Sequence, residues 1–430
     1  MIFKTKPCST VKGKIRVPGD KSISHRSLIF SAIAEGKSVI HGLLESEDCL
    51  NTKKAFQAMG VEIQKDERGS YQVEGVGLYG LKAAHNVIDC GNSGTTMRLL
   101  SGLLAAQDFF TVLTGDTSLR KRPMDRIMLP LSLMGAKILA RDDKYAPLAI
   151  KGDKLIGIEY KSPVASAQVK SAIILAGLYS EGNTRVIEPA SSRDHTERML
   201  SSFGLELDIE GNIIELNRNK EIKLLSQEIT VPGDISSSAF MIAAALISKD
   251  SDLLIENVGV NPTRIGILKV LGDMGANIEL FNKRASGGET VADIRVFSSQ
   301  LRATTIEGDI IPSLIDELPL IAILSTQAEG KTVIRDAHEL RVKESDRIKT
   351  TCDGLRKLGV EVEELEDGMI IDGPSKLKGD VSIETYHDHR IAMSFAIAGL
   401  ITDGIIKIKN AESINTSFPE FPELLNDICK

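Results

Sequence analysis

Polar and apolar positions along the chain repeat in two interleaved patterns. In the first, a helix-like segment ends at a glycine and runs into a β-like stretch. It recurs as KKAFQAMGVEI (53–63), IMLPLSLMGAKIL (127–139), RMLSSFGLEL (198–207), LKVLGDMGANIEL (268–280) and LRKLGVEVEEL (355–365). Gly60, Gly135, Gly204, Gly275 and Gly359 therefore return every 69 to 84 residues, each at the place of a left-handed helix stop. The second pattern is apolar nearly all round, as in helices buried in a core. Its six copies are SHRSLIFSAIAEG (24–36), TTMRLLSGLLAAQ (95–107), QVKSAIILAGLYSEG (168–182), SSAFMIAAALIS (237–248), LPLIAILSTQAEG (318–330) and HRIAMSFAIAGL (389–400), each followed by a β-like run.

Together these predict six units of about 70 residues, each reading helix, strand, loop, helix, strand, strand. This is an α/β chain without strict βαβ alternation. A coarser repeat relates VPGDKSIS (17–24) to VPGDISSS (231–238). It places three units in each of two lobes, residues 1–20 with 231–430 and residues 21–230. Crossings fall at 17–20 and 231–234, where Pro18 and Pro232 break regular structure. A cleft between the lobes is the expected binding site.

Composition narrows the function. The 430 residues, 42% hydrophobic, can build two or three cored domains. A formal charge of -7, no Trp and 4% aromatics give neither the basic field nor the stacking platform of a nucleic-acid binder. Cys8, Cys49, Cys90, Cys352 and Cys429 are odd in number and scattered, which predicts a reduced, cytoplasmic chain without a disulfide framework. The opening MIFKTKPCSTVKGKIRV has no apolar core, and no stretch elsewhere stays apolar for the ~18 residues of a membrane span, so neither secretion nor insertion is expected.

The candidate chemistry sits where the apolar helices begin. Their small polar openings cap well and present backbone N–H groups. Cations recur at the same joints: Lys21, Ser22 and Arg26 in GDKSISHR lead the first helix, and Asn92, Gly94 and Thr95 the second. Arg120, Lys121 and Arg122 form a basic run before a proline. Ser166 and Gln168 lead the third helix, Asp316 and Glu317 the fifth, His389 and Arg390 the sixth. In VKESDR, Lys343 and Arg347 are expected on one helical face with Glu344 a step round. GVGLYG (75–80) has the form GxGxxG but no helix or correctly spaced acid behind it, so its glycines are read as turns. The seven histidines make no HExxH, and no GxSxG elbow supports a serine triad. What remains is Lys21, Arg26, Arg122, Lys343, Arg347 and Arg390 as cations with Asp316 and Glu344 as acid and base: proton transfer around a phosphorylated or carboxylated metabolite, with no metal ligands of recognised spacing.

The stretches PGDKSISHR, GNSGTTMRL, GDTSLRKRPM, SAQVKSA, SRDHTERM, DELP, LRVKESDR and DHRIAMSF resemble, in order and spacing, the motifs of 3-phosphoshikimate 1-carboxyvinyltransferases, also called EPSP synthases, over essentially the whole chain. The resemblance implies a two-lobed inside-out α/β barrel, three units per lobe, with apolar helices inside and sheets outside. It implies transfer of the enolpyruvyl group of phosphoenolpyruvate to the 5-hydroxyl of shikimate 3-phosphate, on the route to chorismate and aromatic amino acids, by a monomer using no cofactor or metal. In that reaction C3 of phosphoenolpyruvate is protonated as the hydroxyl adds to C2, and the tetrahedral intermediate loses phosphate.

Carried over residue by residue, the resemblance gives shikimate 3-phosphate to Lys21, Ser22, Arg26, Ser166, Gln168, Asp316 and Lys343, with Arg193 as a further phosphate contact. It gives phosphoenolpyruvate to Lys21, Gly94, Arg122, Gln168, Arg347 and Arg390. Asp316 would be the base for the hydroxyl, and Glu344 the proton carrier at C3, assisted by Lys21 or Lys343. Ala167, where many members carry serine, and Thr416, where others carry lysine, look like a second sequence class. Gly94 lacks the methyl of glyphosate-tolerant members, which implies a glyphosate target. Two rival readings are a UDP-N-acetylglucosamine enolpyruvyl transferase, which should carry a cysteine in the loop that here reads GDTSLRKRP, and a non-catalytic polyanion-binding module.

Overall fold

A computed structural model describes residues 1–219 and 222–430. The chain divides into two compact units: Met1–Pro18 with Pro232–Ala285 and Thr290–Lys430 forms the first, and Gly19–Val231 with Ser286–Glu289 the second. Each has its own hydrophobic core.

The six apolar segments are the helices Lys21–Ile33, Gly94–Leu104 and Ala167–Gly177 of the second unit and Ile235–Ile247, Leu318–Ser325 and His389–Ala398 of the first. In Ile235–Ile247 every residue from Ile235 to Leu246 is buried, which explains a composition of Ala, Met, Ile and Leu with serines confined to the first turn. The helices also pack unusually close. A Cβ at Gly102 would lie 2.1 Å from the carbonyl oxygen of Ala172, so glycine there allows Gly94–Leu104 to meet the backbone of Ala167–Gly177.

Among the described residues six small sheets accompany these helices, five of four strands and one of three. They share one rule. The strand after each apolar helix (Glu35–His41, Phe110–Thr114, Thr184–Ile187, Asp252–Gly259, Gly330–Ile334, Ile406–Lys409) pairs parallel with a short strand arriving from another repeat. On its other side it pairs antiparallel. In the second unit Glu228–Thr230, at the end of the third repeat, returns beside Glu35–His41 of the first. In the first unit Lys12–Ile15 joins Asp252–Gly259, and Ile2–Thr5 completes the sixth sheet against Ile406–Lys409. The sixth repeat therefore differs from the expected pattern: the chain ends after the helix Phe421–Ile428, and the N-terminal strand supplies the antiparallel partner.

All five repeat glycines have φ between +81° and +103°, the backbone the helix-stop reading requires. GVGLYG leaves the strand Tyr71–Val76 in a turn with Gly77 at φ +72°, and no helix follows before Gly94. Among the described residues no helix is long and apolar enough to cross a membrane.

Candidate active site

In the second unit, Lys21 opens its helix behind the N-cap Asp20, whose carboxylate accepts from Ile23 N at 2.9 Å. The Lys21 ammonium lies 2.5 Å from Asp48. One turn on, Arg26 is 3% exposed and donates to Thr196 Oγ1 at 2.7 Å, Ser171 Oγ at 2.8 Å and the Ser22 carbonyl at 3.1 Å. All three acceptors are neutral. Burial accordingly pulls the Arg26 pKa down to about 10, only partly opposed by Glu197 and Asp20. Next to this platform in sequence, the buried Lys170 ammonium lies 2.7 Å from Glu197 and 2.8 Å from Glu188. Burial works against its charge, yet Glu197 and then Glu188 hold its pKa above the usual lysine value.

Ser166 caps the helix Ala167–Gly177, and Gln168 in its first turn accepts from Arg98 Nη1 at 2.6 Å and donates to Thr95 Oγ1 at 2.9 Å. Arg122 follows a short 3₁₀ turn, Leu119–Lys121, and donates to Asn92 Oδ1 at 2.7 Å and to Ser118 Oγ and the Asn92 carbonyl at 3.3 Å each. A Cβ built on Gly94 would stand 2.8 Å from Arg98 Nη1 and 3.5 Å from Arg122 Nη1, so two guanidinium groups converge over the first turn of Gly94–Leu104. Gly94, Arg122 and Gln168 are thereby one cluster. Buried His25 reaches the same turn through hydroxyls: Nδ1 to Thr52 Oγ1 at 2.7 Å, Thr52 to Thr96 at 2.6 Å, Thr96 to the N-cap Ser93 at 2.7 Å. Burial, then Lys21 and Arg26, lowers the His25 pKa well below 6.5 and leaves the ring neutral.

The first unit laces its helix starts with carboxylates. Arg347, 1% exposed, donates from Nε to Asp388 Oδ2 at 2.8 Å, from Nη2 to Glu344 Oε2 at 2.6 Å and from Nη1 to Asp316 Oδ1 at 3.2 Å. Lys343 Nζ lies 3.5 Å from the same Asp316 oxygen. Burial alone would lower the Arg347 pKa, but Asp388, Glu344 and Asp316 hold it above the ordinary arginine value. Arg390 donates to Glu317 Oε1 at 2.9 Å, and the Ser236 hydroxyl donates to the same oxygen. Ser236 also accepts from Arg264 at 2.6 Å. Three helix starts, at Ser236, Glu317 and Arg390, are thus joined through one buried carboxylate.

One expectation fails here. Lys343 and Glu344 do not share a helical face with Arg347. They lie in the turn between a 3₁₀ helix, His338–Val342, and the helix Arg347–Lys357. The reason is local: Asp346 adopts an extended N-cap conformation and accepts from Lys349 N at 3.0 Å, so the helix starts only at Arg347. The turn is what sends Lys343 and Glu344 to opposite ends of the Arg347–Asp316 pair rather than along a helix.

Residues missed in the sequence include Arg98, Asp48, Lys170, Glu188, Glu197 and Asp388. Asp388 carried a signal, an acid directly before an apolar helix, as at Asp20 and Asp234 in the two VPGD segments. The lysine in SAQVKSA gave none, because its acids lie 18 and 27 residues downstream in a different repeat element.

With this geometry in place, comparison with known proteins is direct. The family model for EPSP synthase (3-phosphoshikimate 1-carboxyvinyltransferase) matches residues 5–425. The chain is 53% identical over 425 residues to a 3-phosphoshikimate 1-carboxyvinyltransferase of Legionella pneumophila (strain Lens), covering 99% of this chain and 97% of that protein. The solved EPSP synthase of Acinetobacter baumannii superposes with a TM-score of 0.88 at 49% identity, over 100% of this chain and 98% of the other. The enolpyruvyl transferase NikO of Streptomyces tendae shares the fold at TM-score 0.80 and 16% identity, over 99% of this chain and 97% of that one. The chain belongs to the EPSP synthase (3-phosphoshikimate 1-carboxyvinyltransferase) family.

Proposed function

We propose that the protein transfers the enolpyruvyl group of phosphoenolpyruvate to the 5-hydroxyl of shikimate 3-phosphate, releasing phosphate, in the shikimate pathway. The observation that carries this reading is the 53% identity to a curated 3-phosphoshikimate 1-carboxyvinyltransferase over 99% of the chain. Lys21, Ser22, Arg26, Ser166, Gln168, Asp316 and Lys343 hold shikimate 3-phosphate. Lys21, the Gly94 backbone, Arg122, Gln168, Arg347 and Arg390 hold phosphoenolpyruvate. Supporting the first set, Arg26 is buried on neutral acceptors and gains most from an incoming anion. Supporting the second, Arg98 and Arg122 converge at Gly94.

Asp316 takes the hydroxyl proton; the two cations on its Oδ1 favour the carboxylate form needed for that task. Glu344, fixed by Arg347, delivers a proton to C3 and takes one back as phosphate leaves, with Lys21 assisting. We read the protein as a cytoplasmic monomer.

The test is inorganic phosphate release from the purified chain with both substrates, with each omitted, and with the Asp316→Ala variant. Release requiring both substrates, and a fall of about 10²–10⁴-fold in kcat for the variant with shikimate 3-phosphate still bound, is expected. Absence of release by the unmodified chain would refute the reaction. An undiminished variant would remove Asp316 from its role.

A further inference from the structure

The ends of the chain meet within the first unit. Residues 6–11 link the strand Ile2–Thr5, in the sixth sheet, to Lys12–Ile15, in the fourth. The last residues run antiparallel to that link: Thr10 N donates to the Lys430 carbonyl at 3.3 Å, Lys430 N donates to the Thr10 carbonyl at 3.0 Å, and Val11 stands opposite Cys429. This pairing brings two thiols together: the Cys8 thiol donates to the Thr10 carbonyl at 3.1 Å and lies 3.7 Å from the carbonyl of Lys430, the residue next to Cys429. Both are half-buried, whereas Cys49, Cys90 and Cys352 are fully enclosed.

We propose that Cys8 and Cys429 form a thiol–disulfide exchange site that reacts with oxidised low-molecular-weight disulfides and closes into an intramolecular disulfide, fastening the first inter-strand link of the chain to its last helix. Burial, then the hydrogen bond to Cys8, raises the Cys429 pKa, so Cys429 keeps its proton and Cys8 opens the reaction. The Cys8 thiolate attacks one sulfur of the small disulfide, forming a mixed disulfide and expelling one small thiolate. Cys429 then passes its proton to solvent and attacks the Cys8 sulfur, expelling the second small thiolate. The protein pair loses two electrons and two protons, and the small disulfide gains both as two thiols. The enclosed cysteines are closed to this route because Cys49, Cys90 and Cys352 present no surface to a small disulfide.

The site sits away from the charged helix starts. Cys8 N donates to the carbonyl of Leu400, just past the end of His389–Ala398, while Asp388 and Arg390 lie at the beginning of that helix. At 1.5 Å per residue the separation along the helix is roughly 15 Å. Closure should therefore raise stability and leave turnover alone. The gain is expected because the bond joins residues 8 and 429, close to the longest loop the chain can make.

The experiment incubates the full chain with oxidised glutathione. Expected are an intact mass lower by two hydrogens, three thiols rather than five titratable after denaturation, a crosslinked peptide containing Cys8 and Cys429, and a melting temperature raised by at least ~2 °C that reductant reverses. Phosphate release should stay within about twofold, and Cys8→Ser and Cys429→Ser should each abolish the shift. Recovery of only glutathione adducts, of dimers linked between chains, or of a crosslink through any other cysteine would overturn the proposal. A correct crosslink without a thermal shift would overturn the fastening role.

Discussion

Arg26 in the second unit and Arg347 in the first are both sealed beside the start of an apolar helix, and they are held in opposite ways. Arg26 rests on two hydroxyls and a carbonyl. Arg347 is ringed by Asp316, Glu344 and Asp388. Burying a charge is costly unless something compensates it. At Arg347 the fold supplies the compensation, and the charge serves to fix carboxylates in place. At Arg26 the hydrogen-bond acceptors are neutral and Glu197 and Asp20 compensate its charge only in part, so the cation remains an attractor for an anion. The same repeat thus yields one unit whose sealed arginine is bonded to neutral groups and one whose sealed arginine is ringed by carboxylates.

Arg347→Ala should break this contrast most severely. Three carboxylates would face one another without their shared cation, and breaking a buried ion pair costs about 3–5 kcal/mol. Urea unfolding should show that loss, with Arg347→Lys failing to recover it because an ammonium cannot reach three carboxylates in a fork. Arg26→Ala should differ in kind. Ser171 and Thr196 already bond each other at 2.7 Å and would not be orphaned, so the stability change should stay below about 1.5 kcal/mol. The KM for shikimate 3-phosphate should rise about 10–100-fold, the equivalent of one lost charged hydrogen-bonding group. Equal destabilisation by the two alanines would mean that the units compensate their buried arginines alike, contrary to their contacts.

A smaller effect sharpens the picture at the neighbouring cluster. Gly94→Ala places a methyl 2.8 Å from one guanidinium nitrogen and 3.5 Å from another, both on flexible side chains that can give way. Phosphoenolpyruvate should bind about tenfold more weakly, ~1.4 kcal/mol, with folding unaffected. Glyphosate should inhibit the unmodified chain and lose potency against the variant. Unchanged constants for both would show that neither small molecule uses the space over Gly94.

Much of this was legible in the residues. The six apolar runs and five helix-stop glycines encode the repeat, because burial on all sides and a positive φ each demand a narrow choice of residue. The cations at the helix starts were legible for the same reason: they recur at equivalent joints. Their partners were not. Arg347 meets Asp388 from 41 positions away and Asp316 from 31, pairings set by the closing of sheets rather than by any local spacing. The VKESDR segment shows the converse error. An i, i+4 spacing implied a helical face, but an aspartate inside the motif takes the N-cap, so the helix starts only at Arg347, four residues after Lys343. The sixth repeat was misjudged since its missing strand comes from the other end of the chain.

The least expected effect concerns pH and again falls on the second unit. His25 is buried beside Lys21 and Arg26, with its pKa held well below 6.5 by burial first and then by those cations. The unfolded chain takes up a proton at this ring as pH falls through about 6.5, and the folded chain does not, so His25 contributes stability above that pH and loses it below. The slope is ~1.4 kcal/mol per pH unit for one proton. His25→Asn keeps an amide where Nδ1 meets Thr52 and removes the titration. Between about pH 7.5 and about pH 5, urea midpoints of the variant should fall less than those of the unmodified protein, by an amount equal to about 1–2 kcal/mol. Parallel pH profiles for the two proteins would mean that His25 takes up its proton in the folded state, and that the hydroxyl path from Thr52 to Ser93 tolerates a charged ring at its end.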